Sequence, residues 1–296
     1  MAALSVVVPT VGRPDRVSLL LASIARCDPH PDEVLVVDGE GSDQLETVVA
    51  KWDAELNLKL LVSPRGVSRQ RNAGIASARG DVIVFLDDDV VIEGRTFAQI
   101  HEAFDDQGVV GVTGRVIEPR GRRLVAQDSR LRRWIPGGGT QGGFTRYGYP
   151  RYVYDVDVPR DVQFMPGCFA CVRTPAARAI GFDENLAVAE DEDFSYRLSH
   201  IGRIRYLPEI SIIHRKLGFK SREPRTFDQA LVWTRRYLFR KNFEQTALAR
   251  MQFGIFLITL VAHRIVNGDL AGARGLLHGH GGSPRGLDSV AKRDAQ

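Results

Sequence analysis

Three consecutive carboxylates, Asp87, Asp88 and Asp89, follow five apolar residues, Val82 to Leu86. An apolar run of this length reads as a strand buried on both faces, so the aspartates stand where the strand leaves the core. Adjacent carboxylates repel one another, and partial burial raises the cost of their charge. A hard divalent cation with oxygen ligands would offset that cost. A plain acidic loop ahead of a helix starting near Glu93-Gly94 would give the same string without a metal. A second acidic run, Glu190 to Asp193, opens AEDEDFSYRLSHIG, where Phe194, Leu198 and Ile201 form one helical stripe. The helix macrodipole favours negative charge at such a start and could by itself account for all four residues. His214 closes the apolar string ISIIH; an imidazole there is either a metal ligand or an ordinary surface residue.

The surrounding elements explain how these groups could meet. LSVVV (4–8), EVLVVD (33–38), LKLLV (58–62), VIVFLD (82–87) and VVGVTGRVIE (109–118) read as strands. Helical spacing is found at about 13–26, 42–54, 66–79 and 95–104. This alternation predicts an α/β fold built on a doubly wound, mostly parallel sheet. Ligands of such sheets bind beyond the carboxyl ends of the strands. Those ends are Pro9-Thr10, Asp38, Ser63-Pro64 and the three aspartates, so four strand ends converge on one acidic crevice. Residues 119–159 break the rhythm, with PGGGTQGG, RYGYPRYVYD and Trp134. A loop of this length is a lid or binding loop, or a surface segment pinned by a few rings. QFMPGCFACVR (163–173) reads as a strand, TPAARAI as a short helix, and RIRYLP and ISIIHRK as two strands. Residues 226–273 read as mostly helical, and the tail after Gly281 as disordered.

The 296 residues carry a formal charge of +4, unevenly spread. Residues 1–214 are net −5 and residues 215–296 net +9. The basic C-terminal part therefore fits an anionic partner: a membrane surface, a phosphate or a nucleic acid. No RNP-type or helix-turn-helix pattern accompanies it, which argues against nucleic acid. Three cysteines do not make a disulfide framework, and Cys168 and Cys171 lie on an expected strand with thiols on opposite faces. MAALSVVVPT lacks the basic n-region and cleavage site of a signal peptide. The most apolar stretch, FGIFLITLVA (253–262), is about half the length of a membrane span. The expected location is cytoplasmic, peripheral on the inner face of the cell membrane.

Five motifs in order carry a family resemblance over roughly residues 4–280: VVVPTVGRPDRVSLLLASI, VLVVDGEGSD, RGVSRQRNAGI with its R-N-x-G, VIVFLDDDVV with its D-x-D, and GFDENLAVAEDEDFSYRL. Together they resemble family 2 inverting glycosyltransferases of the GT-A fold. The resemblance implies a catalytic domain over 1–225, a basic helical extension over 226–282 and a tail over 283–296. It implies a nucleoside-diphosphate sugar bound by Pro9, Thr10, Asp38, Arg71, Asp87 and Asp88, with Asp38 reading the base and Asp87 or Asp88 on the ribose side. It places Mg²⁺ or Mn²⁺ on Asp89, with His214 as a further ligand. Asp191 is the implied general base, supported by Glu190 and Asp193, and Glu190 and Trp134 border the acceptor. Uracil, thymine and guanine nucleotides all occur in the family, so the base stays open, as does the oligomeric state.

The sequence departs from the processive members of the family. Their Q-x-x-R-W is represented only by QALVW (229–233), and no spanning helix is expected after it. Transfer of one or a few sugars, in cell-surface glycan synthesis, is the expectation. The tail, with RRYLFRKN and ARGLLHGHGG, is similar to rhamnosyltransferase-like members acting on lipid-linked glycans. Two other classes fit parts of the chain. LDDDVV matches the D-x-D-x-[TV] of haloacid-dehalogenase-type phosphatases, but three strands precede it where that motif opens its domain. A non-catalytic sugar-nucleotide binder would have no need of Asp191.

Overall fold

The computed structural model describes residues 2–117, 141–153, 156–215 and 224–278. Strands β1 (Leu4–Thr10), β2 (Glu33–Asp38), β3 (Leu58–Val62) and β4 (Val82–Leu86) lie side by side in the order β3-β2-β1-β4, all parallel. Helices α1 (Pro14–Ile24), α2 (Asp43–Leu56) and α3 (Val67–Ser77) connect them. Beyond β4 the sheet becomes mixed. β8 (Phe169–Arg173) runs antiparallel between β4 and β6 (Val109–Ile117). β9 (Arg203–His214) lies parallel to β6 and takes β5 (Val90–Val91) and β7 (Arg160–Val162) antiparallel. α4 (Thr96–Ala103), α5 (Thr174–Ile180) and α6 (Glu190–Leu198) complete the α/β body. α7 (Pro224–Asn242), α8 (Ala247–Val266) and α9 (Leu270–His278) follow.

β1, β2 and β4 are buried along their whole length, as continuous apolar runs require of parallel strands covered on both faces. Each fully buried Val, Leu or Ile contributes roughly 1.5–3 kcal/mol of transfer free energy, which anchors the strands whose ends carry the site. One core layer packs α1, α2 and α4 against the sheet, and the other packs α3, α5 and α6. Gly74 of α3 is required by the closest of these approaches: a Cβ there would lie 2.3 Å from Val7 Cγ1.

Two expected elements differ. The strand expected over 163–173 begins only at Phe169, with Cys168 in the turn before it; Cys168 and Cys171 are both buried, free thiols. RIRYLP and ISIIH form one strand, β9, rather than two. Its register against β6 jumps between Leu207 and Ser211, around Pro208, which has no N–H to give to a ladder.

The C-terminal helices form a third apolar cluster with residues of the loop after 140. Tyr147, Val232, Phe239, Phe253, Phe256, Leu260 and Leu276 meet there. The loop's rings are therefore held inside the fold: Tyr147 and Tyr149 against Phe256, and Phe144 against Tyr196 and Phe243. The expected tail over 283–296 lies outside the described residues.

Candidate active site

The site begins where β1 and β4 end. Leu4 stands opposite Val82 and Val7 opposite Phe85, and this register carried forward brings Thr10 level with Asp88. Thr10 Oγ1 donates to Asp88 Oδ2 at 2.7 Å. Gln70 of α3 clamps the two neighbouring strand ends, donating from Nε2 to Thr10 O at 2.6 Å and Val37 O at 2.8 Å. Pro9 is buried in the ladder opposite Val37. Asp38 is fully buried and accepts from the backbone N–H of Glu40 (3.0 Å) and of Ser42 (2.7 Å). Its carboxylate organises the loop after β2.

The three aspartates diverge, and each has a cationic partner of its own. Asp87 accepts from Arg71 Nη2 at 3.1 Å. Asp88 is buried, with Arg13 at 3.4 Å and Arg16 at 3.9 Å. Burial raises its pKa; Arg13 and the Thr10 hydroxyl act against the rise, while Asp89 and Asp87 add to it. Asp89 lies 3.1 Å from His214 Nε2 and 3.8 Å from Arg16. Burial works to raise the Asp89 pKa as well, but the hydrogen bond and charge of His214, with Arg16 and Arg13, outweigh it and hold the carboxyl below its usual range. Arginines on α1 and α3 thus supply part of the counter-charge that the sequence ascribes to a metal alone. His214 reaches Asp89 because β5 and the end of β9 pair antiparallel, setting Val90 opposite His214.

Asp87, Asp89 and His214 each offer a ligand atom, all within 4.8 Å of one another. His214 Nδ1 is buried and has no hydrogen-bond partner among the described residues. Two carboxylates and an imidazole suit a first-row divalent ion such as Mn²⁺, or Mg²⁺ through the oxygens. These residues fit such a cation, and Asp87 joins Asp89 and His214 in the set.

Arg71 spans the distance to the second acidic run. Its guanidinium is buried and donates to Glu190 Oε1 at 2.8 Å, Asp87 Oδ1 at 3.1 Å and Gly167 O at 2.9 Å. It lies over the ring of Phe182, 5.2 Å from the centroid. Burial opposes its charge, but Glu190, Asp87 and Asp191 more than offset this and raise its pKa. The next residue, Asn72, holds the 182–184 turn by exchanging hydrogen bonds with the backbone of Phe182 and donating to Glu184. The R-N-x-G string therefore has three separate tasks: Arg71 for the site, Asn72 for the turn and Gly74 for the sheet contact.

Four successive carboxylates open α6, and about 100° of rotation per residue sends them in different directions. Glu190 meets Arg71. Asp191 accepts from the N–H of Gly167 and of Glu192, both at 2.9 Å. Glu192 forms a buried two-point ion pair with Arg235 of α7 and accepts from Tyr152 Oη at 3.3 Å. Asp193 is buried and accepts from Arg197, Lys241 and Asn242. The macrodipole is therefore only part of their explanation: Glu192 and Asp193 join the C-terminal helices to the catalytic body. Asp183 adds to this joint, accepting from Lys241 (2.6 Å) and Tyr237 (2.7 Å). Among the described residues, Asp191 alone of the four has no basic side chain on it. Burial first, then the charges of Glu190 and Glu192, push its pKa up to about 8, against Arg71 and the Gly167 N–H. Trp134 lies outside the described residues.

The structure thus links Thr10 to Asp88, Arg71 to Asp87 and Glu190, and Asp89 to His214, with Asp191 joined to Arg71 through Gly167. Sequence reasoning missed Gln70, Gly167, Arg13 and Arg16. Gln70 is one residue ahead of the R-N-x-G string, and Arg13 and Arg16 stand at the start of the helix after β1; their position next to strand ends was the available signal.

Known proteins share the fold. Among curated relatives, poly(ribitol-phosphate) beta-N-acetylglucosaminyltransferase TarS of Staphylococcus aureus is 35% identical over 111 residues, covering 36% of this chain and 19% of the relative. Pre-mycofactocin glycosyltransferase of Mycobacterium tuberculosis is 27% identical over 166 residues, covering 54% of this chain and 33% of the relative. These matches span a fifth to a third of the relatives' own lengths. Among solved structures, the mannosyltransferase PcManGT from Pyrobaculum calidifontis in complex with GDP-Man and Mn²⁺ superposes with a TM-score of 0.61 at 19% identity, over 99% of this chain and 80% of that one. S. aureus TarS 1–349 in complex with UDP gives 0.58 at 21% identity, over 89% and 72%. The fold is thus the GT-A glycosyltransferase fold. The model of Glycosyl transferase family 2 matches residues 5–181, well over half of the sequence, and the chain belongs to that family.

Proposed function

We propose that this chain moves a sugar from a nucleoside-diphosphate sugar to an acceptor hydroxyl, in one displacement that inverts the anomeric carbon. The observation that carries this reading is the junction of two acidic sites through one residue pair: Arg71 binds Asp87 on the cation side and Glu190 beside Asp191 on the acceptor side. The fold neighbours hold UDP or GDP-Man with Mn²⁺, which supports a donor of the same class in this crevice.

Asp87, Asp89 and His214 would hold the divalent cation, Mn²⁺ or Mg²⁺. When bound, it supplies positive charge to the diphosphate as the glycosidic bond breaks. Thr10 and Gln70 fix the strand ends that shape the donor side. Asp191 takes the proton of the attacking hydroxyl. Held by two backbone N–H groups and pushed up to about 8, it is a stronger base than a solvent-exposed carboxylate once its own proton has left, which happens as the pH rises toward 8. Arg71 fixes Gly167 and Glu190, so it positions Asp191 without touching it. A single base and no second catalytic carboxylate is what a one-step inverting displacement requires.

The acceptor in this reading is a hydroxyl of a cell-surface or lipid-linked glycan, reached from the cytoplasmic side of the membrane, with one or a few sugars added. The TarS match, whose name describes transfer to poly(ribitol-phosphate), supports the class. The test is product analysis with a panel of nucleoside-diphosphate sugars and Mn²⁺. Release of nucleoside diphosphate is expected. Release of inorganic phosphate instead would favour phosphatase chemistry at Asp87, and binding without turnover would leave a sugar-nucleotide binder.

A further inference from the structure

Helix α8 is apolar on two opposite faces. Phe253, Phe256 and Leu260 are buried against Tyr147, Phe239 and Leu276. On the other side Leu248, Met251, Ile255, Ile258 and Ile265 are exposed, Ile258 at 69%. These five, with exposed Ala262, are spaced three and four residues apart along the helix, which lines them up on a single face. The same surface continues onto α9 through exposed Leu270 and Leu277. Of the large apolar residues exposed among the described residues, most lie on these two helices. A helix apolar all round is ordinarily enclosed by protein or lipid, and here only one side is enclosed.

The charges choose the occupant. From Gln245 to His278 the only acidic residue is Asp269, which pairs with Arg264 at 3.2 Å, while Arg250 and Arg274 add positive charge, and the chain from residue 215 onward is net +9. A second copy of this face would bring the same positive balance against itself. An anionic surface has the complementary sign. Length and composition alone would let α8 cross a membrane, with 20 residues and a mean hydropathy of 1.3. Its inner face, however, is packed on α7, α9 and Tyr147, and α7 is tied to α6 by the Glu192–Arg235 pair. A helix held in this way can lie on a bilayer but not thread it.

We infer that the outer face of α8 and α9 is a docking surface for an anionic lipid leaflet, with Leu248, Met251, Ile255, Ile258 and Ile265 entering the headgroup boundary. The apolar stretch 253–262 and the basic residues of the C-terminal part do not all belong to this surface. Phe253, Phe256 and Leu260 are core, Arg235 is in a buried ion pair, and Lys241 is engaged by Asp183 and Asp193. The surface does not depend on the catalytic reading and is tested without turnover.

The experiment is flotation of the full chain with phosphatidylglycerol-containing and pure phosphatidylcholine vesicles at low and high salt, beside sedimentation velocity without lipid. The wild type is expected to bind the anionic vesicles at low salt and to lose most binding at high salt. Ile255→Ser with Ile258→Ser is expected to weaken binding by about tenfold or more with an unchanged melting temperature, since both side chains are exposed. Arg250→Gln should weaken binding to anionic vesicles and leave the neutral-vesicle result unchanged. Absence of binding to anionic vesicles at low salt would overturn the proposal. So would a stable dimer that the double variant dissociates, which would assign the face to a second copy, or binding that appears only after residues 279–296 are removed, which would assign it to that segment.

Discussion

Arg71 and Asp191 are joined through Gly167: the guanidinium donates to the glycine's carbonyl and the glycine's N–H donates to the carboxylate, each at 2.9 Å. One residue with no side chain thereby sets the distance between the two acidic halves of the site. A Cβ on Gly167 would lie 2.9 Å from Arg71 Nη2 and 3.3 Å from Asp191 Cβ. Gly167→Ala must therefore push the two apart. We expect transfer to fall by about 10² or more, because an ångström-scale misplacement of a catalytic group has that effect. Donor binding should change much less. Measuring both on the same preparation checks this, and near-normal transfer by a folded Gly167→Ala variant would mean that the Arg71–Asp191 spacing is not critical.

Asp191 gives a prediction in which stability and activity move in opposite directions. Its folded pKa, about 8, is above the ordinary carboxyl value of 3.8. Between those values the folded chain keeps a proton that the unfolded chain releases, so stability falls as pH rises through this window. Asp191→Asn removes the loss. It should unfold later than the wild type at pH 8, by up to about 5 kcal/mol, and at a similar point near pH 4. The same variant should lose transfer by roughly 10² or more. Wild-type transfer should rise with pH toward about 8, as the base loses its proton. Denaturant titrations at both pH values are decisive: equal gains at pH 4 and pH 8 would remove the titration argument.

The C-terminal helices owe their attachment to buried charge. Arg235→Met leaves Glu192 buried and unpaired, and we expect it to cost about 3–5 kcal/mol. Changing Glu192 as well, to Leu, should recover much of the loss, because the pair rather than either charge suits the site. Urea unfolding of the two single variants and the double variant gives the coupling directly. A loss below about 1 kcal/mol for Arg235→Met would show that α7 is held chiefly by its apolar contacts.

How far the sequence could be read follows from where each interaction comes from. β1 to β4 were legible because strands buried on both faces are written as unbroken apolar runs, and their common register then fixes which ends meet, as with Thr10 and Asp88. The mixed half of the sheet was less legible, since Pro208 bends one strand into what reads as two. The partners of the α6 carboxylates were out of reach. Arg71 and Glu190 are 119 positions apart and Glu192 and Arg235 are 43 apart, and no local pattern encodes such pairs. For the same reason the macrodipole could stand in the sequence as a sufficient explanation of the acidic helix start. α8 misled in another way: a helix apolar on both faces carries no stripe, so composition could not say that Phe256 faces the core and Ile258 the outside.

The central claim is that Asp87, Asp89 and His214 bind a nucleoside diphosphate through a divalent cation, apart from the base at Asp191. The most direct measurement is calorimetric titration of UDP, TDP and GDP, with and without Mn²⁺, into the wild type, Asp89→Ala and Asp191→Asn. We predict that one of these nucleotides binds the wild type only with Mn²⁺, that Asp89→Ala loses this binding while remaining folded, and that Asp191→Asn keeps it. Equal affinity in the wild type and Asp89→Ala, or binding indifferent to Mn²⁺, would contradict the account.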